Sequence, residues 1–174
     1  MVESEQEFFS DRVTTYFRNL YFQGKDLSAV KLSLLETFYN ISDHADANGN
    51  AYCQMKYDKT TKILDVAVAD FGVGLVNTVK DFDSTIQSDV DALKRAIEED
   101  FTISSTTHNK GKGLSNILSS SSIASIISGQ GLLVSSNKDV RTFSLDFKFP
   151  GTLVYYEIDL SNLDDEDFCE EFSF

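Results

Sequence analysis

Three groups of residues in this 174-residue chain have types and spacings suited to chemistry. Glu36, Asn40 and His44 stand four apart, which on a helix puts them on one face. A carboxylate there can orient or deprotonate an attacking group, and an asparagine side-chain oxygen is a hard ligand suited to Mg²⁺ already held by phosphates. Asp70-Phe71-Gly72-Val73-Gly74 follows an apolar run ending at Ala69. Its aspartate can accept a hydrogen bond from the exocyclic amine of adenine, while its glycines let the chain pass close to the ring. Asn109-Lys110-Gly111-Lys112-Gly113-Leu114 opens a helical pattern whose first N–H groups can meet phosphate oxygens, with two lysines adding positive charge. It does not end in the Lys-Ser/Thr of a P-loop. Taken singly, each group is also what a solvated helix stripe, a turn after a strand or a glycine-flanked helix start would look like.

The elements that must position these residues can be read from apolar spacing. Leu27, Val30, Leu34, Leu35, Phe38, Ile41 and Ala45 recur at three- and four-residue steps and predict the chain's strongest helix. Residues 51–57 and 62–69, around Asp58-Lys59-Thr60-Thr61, predict a β-hairpin. Residues 84–99 have a helical pattern with acidic residues outward. Residues 102–112, rich in Ser, Thr, Asn and Gly, predict a mobile loop, and Leu114, Ile117 and Leu118 begin a further short helix. Residues 132–135, 142–149 and 152–160 predict an antiparallel meander broken at Asn137-Lys138-Asp139 and at Pro150-Gly151. The order is that of an α+β fold, a two-layer α/β sandwich with helices on one face of a mixed, mostly antiparallel sheet.

Composition bounds the rest. The length suits one domain, and 28 acidic against 15 basic residues give a formal charge of −13, which argues against a nucleic-acid or anionic-membrane surface. Cys53 and Cys169 are far apart and suggest neither a disulfide framework nor a zinc site. The acidic start is unlike a signal peptide and no apolar stretch is long enough to span a bilayer, so a cytoplasmic protein is expected. Residues 1–24 form an N-terminal extension in which Asn19-Leu20-Tyr21-Phe22-Gln23-Gly24 resembles most of a protease site used to remove expression tags. Arg18 stands where that site has glutamate, and native sequence is the preferred reading. Residues 161–174 form an acidic, phenylalanine-containing tail.

In chain order, Glu36-x-x-x-Asn40-x-x-x-His44-Ala45, Asp70-x-Gly72-x-Gly74, Gly111-x-Gly113-Leu114 and Gly151-Thr152 resemble the N, G1, G2 and G3 boxes of the GHKL ATP-binding superfamily. That superfamily includes DNA gyrase, the ninety-kilodalton heat-shock chaperone, histidine kinases and mismatch-repair ATPases. The resemblance covers about residues 27–160 and implies a Bergerat fold over residues 25–160, binding ATP and Mg²⁺ beneath a lid at about residues 75–110. Carried over, it implies that Asn40 ligates Mg²⁺, Glu36 is the catalytic acid/base and Asp70 binds the adenine amine. Gly72 and Gly74 would line the base pocket, Gly111, Lys112, Gly113 and Leu114 would approach the phosphates, and Thr152 would lie beside Asp70.

The N-box is most similar to that of stand-alone anti-sigma-factor-type serine kinases. The resemblance thus implies an ATP-dependent serine/threonine-type protein kinase or weak ATPase in a regulatory switch with a protein partner. The alternative is a non-catalytic ATP-sensing module that binds a partner protein, and a third reading is a scaffold that has lost ATP. Self-phosphorylation on histidine is not expected, since the histidines are His44 and His108 and the phosphoacceptor helix of a full histidine kinase is missing. Two residues depart from the family pattern: Phe71 replaces the asparagine often found after the G1 aspartate, and Asp43 stands where kinases often have a basic residue.

Overall fold

The structure is a computed structural model that describes residues 3–44, 51–98 and 113–166. Within them the chain forms α1 (Glu3–Tyr21), α2 (Ser28–His44), β1 (Ala51–Asp58), β2 (Ile63–Asp70), α3 (Leu75–Phe82), α4 (Asp89–Ala96), α5 (Gly113–Ser120), β3 (Ile123–Ser136) and β4 (Asp139–Asp159). The four strands make one sheet in the order β1-β2-β4-β3, antiparallel at every pairing. Helices packed over this sheet give the two-layer α+β sandwich.

Period-two patterning sets the inner face. Along β2, Leu64, Val66, Val68 and Asp70 are buried in strict alternation, and the register builds apolar rows across the sheet. Val66 stands opposite Tyr156, which faces Ala124, and Val68 stands opposite Val154, which faces Ile126. Onto these rows Leu27, just before α2, and Val30, Leu34 and Phe38 on it are laid, part of the face expected from its spacing. The Thr37 hydroxyl lies 3.2 Å from the Tyr156 phenol oxygen, tying α2 to the middle of the sheet. The β1–β2 turn is held by Asp58, whose Oδ1 accepts from the amides of Thr60 and Thr61 at 2.7 and 3.2 Å.

Several elements differ from their expected bounds. The helical pattern at residues 84–99 yields a helix only from Asp89, because Asp83 closes a turn by accepting from the Thr85 amide at 3.0 Å and Ser88 then caps the new helix. β3 begins at Ile123, well before residue 132, where serines dilute the alternation of Ala124, Ile126 and Ser128. β4 runs on through Pro150-Gly151, since the register with β3 jumps from Ser128 opposite Thr152 to Gly129 opposite Phe149. Pro150 therefore falls in a bulge, where its missing N–H breaks no β3–β4 pair.

Of the segment expected as a lid, residues 75–98 carry α3 and α4, which bury Val76, Val79, Ala92, Leu93 and Ala96 against the sheet. Residues 99–112 lie outside the described residues, and with them the expected loop at 102–112.

The ends of the described chain are packed too. α1 lies along α2, with the Gln6 amide donating to the Phe38 carbonyl at 3.3 Å and Phe9 meeting the Phe38 ring edge-on at 5.3 Å. Phe17 and Phe22 are buried against Tyr57 at centroid distances of 5.8 and 5.4 Å, so the tag-like hexapeptide contributes to the core. Residues 164–166 lie alongside residues 24–26: Asp26 N–H donates to the Asp164 carbonyl and Glu166 N–H to the Gly24 carbonyl, both at 2.9 Å. The expected tail thus starts from a fixed attachment, and residues 167–174 lie outside the described residues. Among the described residues no helix is long and apolar enough to cross a membrane.

Candidate functional site

The apolar rows of the inner face end in a polar one. After Val66-Tyr156-Ala124 and Val68-Val154-Ile126 come Asp70 at the end of β2, Thr152 on β4 and, opposite Thr152, Ser128 on β3. Asp70 is 2% exposed and Ser128 1% exposed, while Thr152 between them is half-buried. A buried polar group is costly unless hydrogen-bonded, and each of these has partners. The Asp70 carboxylate accepts from the Gly72 amide, 2.8 Å from Oδ1, and the nearby Thr152 amide also favours its charged form. Thr152 Oγ1 accepts from the Leu75 amide at 2.8 Å, and Ser128 Oγ accepts from the Val76 amide at 3.3 Å. Two of the N–H groups left over at the start of α3 are thus satisfied from the sheet, where Gly74 offers no capping side chain.

Two glycines make the close approach possible. Gly74 and Gly151 adopt φ of 83° and 86°, a region that disfavours any residue with a Cβ. A Cβ on Gly151 would fall onto the Asp70 carbonyl oxygen and 2.8 Å from its Oδ1, and one on Gly74 would lie 2.8 Å from the Gly151 carbonyl oxygen. The β4 bend therefore presses directly on Asp70. Burial raises the Asp70 pKa above its ordinary value of 3.8, only partly countered by the amides of Gly72 and Thr152.

Sequence reasoning expected Asp70, Gly72, Gly74 and Thr152 in one place, and the structure brings them together. Glu36 and Asn40 sit on α2, whose Thr37 meets Tyr156 on the inner face. Glu36 Oε2 and Asn40 Nδ2 are buried and find no hydrogen-bond partner among the described residues, and burial raises the Glu36 pKa above its ordinary 4.5. These two polar atoms lie one helical turn apart on α2. α5 packs against α2, with Gly113 in its first position and the Leu114 side chain in the core. Gly111 and Lys112 lie outside the described residues, as does the side chain of His44.

Scanned against protein-family models the chain matches none, and no curated protein matches it. The site's meaning rests on its own geometry.

Phe71, the departure after Asp70, is half exposed, stacked on Phe149 at 6.1 Å and edge-on to Tyr52 at 5.9 Å. Tyr52 stands opposite Ala69, on the strand positions that alternate with the buried ones. Sequence reasoning missed Ser128 and Asp89. Asp89 on α4 pairs with Lys80 on α3 at 2.5 Å and accepts from the Gln130 amide at 2.7 Å, fastening both helices to the irregular stretch of β3. The alternation of small residues around Ser128 was the one available signal; for Asp89 there was none.

Proposed function

We propose that this chain is an ATP- and Mg²⁺-binding domain of the GHKL type that acts as a serine/threonine-type protein kinase or weak ATPase in a regulatory switch. The observation that carries the reading is Asp70: a buried carboxylate held by the Gly72 amide at the end of an apolar face, with a glycine bend pressed against it. Such a carboxylate costs stability, and an acceptor at the end of an apolar face suits the exocyclic amine of adenine.

Glu36 and Asn40 stand one turn apart on α2, and their residue types suit a Mg²⁺-phosphate group: the Asn40 amide oxygen is a hard ligand, its Nδ2 can donate to a phosphate oxygen, and Glu36 offers a carboxylate. Bound Mg²⁺ would draw charge from the phosphates. Glu36, with its pKa raised by burial, would take the proton from a partner's hydroxyl or from water, and Asn40 would hold the metal. The proposed phosphoacceptor is a protein rather than a nucleic acid, in keeping with the net charge of −13, and the cytoplasm is the proposed setting.

Calorimetric titration with ATP, with and without Mg²⁺, tests the reading on the wild type and on Asp70→Asn. Saturable, Mg²⁺-assisted binding that Asp70→Asn abolishes is expected; its absence from the wild type would overturn the assignment. In Glu36→Ala, ATP binding should persist while turnover disappears. A wild type that binds ATP without turning it over, alone or with a partner, would favour the non-catalytic sensor.

A further inference from the structure

The structure assigns to Ser128 the role of a positioning residue that holds the β4 bend against Asp70 and thereby sets the site's preference for a base bearing an exocyclic amine. This rests on the ATP reading above. Three contacts carry it. Ser128 Oγ donates to the Gly151 carbonyl at 2.8 Å and accepts from the Val76 amide at 3.3 Å, so one hydroxyl joins β3, the β4 bend and the first turn of α3. Gly151 is the residue whose missing Cβ lets Asp70 sit where it does, since a Cβ there would fall onto the Asp70 carbonyl oxygen and 2.8 Å from its Oδ1. Gly74 packs on the same hydroxyl, since a Cβ there would lie 3.1 Å from Ser128 Oγ.

The bend needs such a tie because the strand itself does not supply one. At Ser128 the β3–β4 register breaks, and Pro150 and Gly151 fall between the paired positions Phe149 and Thr152. The Gly151 carbonyl is thus outside the regular ladder, and Ser128 takes the place of a backbone donor. Removing the hydroxyl leaves a buried carbonyl and a buried amide unpaired together, and the cheapest relief is for the bend to shift toward water. Such a shift loosens the Asp70 end of the site without touching α2 or the start of α5, where phosphates are expected.

The test is a ratio of affinities, which a simple loss of folded protein leaves unchanged. Dissociation constants for ATP and for inosine triphosphate, which lacks the exocyclic amine, are measured by calorimetry on the wild type and on Ser128→Ala. The wild type should favour ATP by about tenfold or more, as a site built to receive a donor discriminates against its absence. In Ser128→Ala, ATP affinity should fall toward that of inosine triphosphate while the latter holds, so that the ratio approaches one. An unchanged ratio, or equal loss of both nucleotides, overturns the positioning role. A wild type that binds neither nucleotide overturns the ATP reading itself, and one that binds both equally removes Asp70 from base selection. Should Ser128→Ala not fold, Ser128→Cys keeps the shape while weakening both hydrogen bonds, and the same fall in the ratio is expected; a ratio equal to wild type would overturn the proposal.

Discussion

Asp70 and Glu36 are carboxylates placed where burial works against their charge. Both have pKa values raised from the unfolded range, so each contributes stability that is fully present below its unfolded pKa and lost as pH rises through the folded value. At neutral pH both therefore weaken the fold, in keeping with the binding role proposed for them. Asp70→Asn should abolish ATP binding yet melt no lower than the wild type at pH 7. Scanning calorimetry at pH 7 and pH 5 checks the sign, because the advantage of Asp70→Asn should shrink at the lower pH as the wild-type carboxylate takes up its proton. Asp89 has the opposite sign. Its burial is outweighed by the Gln130 amide and the Lys80 ammonium, so its pKa is lowered, and its contribution is present above the unfolded pKa and fades as pH falls through the folded one. The placement of Glu36 and Asn40 on one helix and of Asp70 at a strand end was legible in the sequence because it depends on residue spacing within single elements. Ser128 was not, since a serine in a serine-rich run becomes informative only through the carbonyl it meets.

Single elements show how the site is assembled. Gly151→Ala must move either the β4 bend or Asp70 and also strains a φ of 86°, so a loss of roughly 1–3 kcal/mol is expected, read from chemical denaturation, together with loss of ATP binding. Asp89→Asn breaks the Lys80 pair and weakens the hold on the Gln130 amide, and should cost about 1–2 kcal/mol. Hydrogen exchange should then quicken first in α3 and α4, the helices that Asp89 fastens to β3. α2, the β1–β2 hairpin and α5 were legible because each has one clean apolar period. The segment at residues 84–99 misled because its apolar positions continue a helical phase that Asp83 and Ser88 interrupt by side-chain hydrogen bonds. Pro150-Gly151 misled in the other direction: the pair reads as a strand end, yet in a bulge the chain continues through it.

Across the whole molecule, the two ends of the described chain close on each other. Lys25 pairs with Asp165 and Arg18 with Glu166, both at 2.6 Å, beside the two backbone hydrogen bonds that join these segments. The ion pairs lie at the surface and contribute little each, whereas Phe17 and Phe22 bury whole rings against Tyr57. Phe22→Ala should therefore cost about 3–5 kcal/mol in a denaturant titration, which a dispensable leader would not. A likeness to a protease site marked residues 19–24 and acidic, phenylalanine-containing composition marked residues 161–174 as tail, and neither signal reports the long-range contacts these segments make.

By itself the sequence determined the α+β class, the helical face of α2, the hairpin and the order of the glycine clusters, because periodicity and turn chemistry act over a few neighbouring residues. Tertiary structure decided that Asp70, Thr152 and Ser128 form one polar row, that Gly151 lies against Asp70, and that Phe22 belongs to the core. These contacts join residues far apart in the chain, and strand register sets them. A shift of one residue in β4 would turn Thr152 to the opposite face, and no local feature of the sequence reports which register packs best.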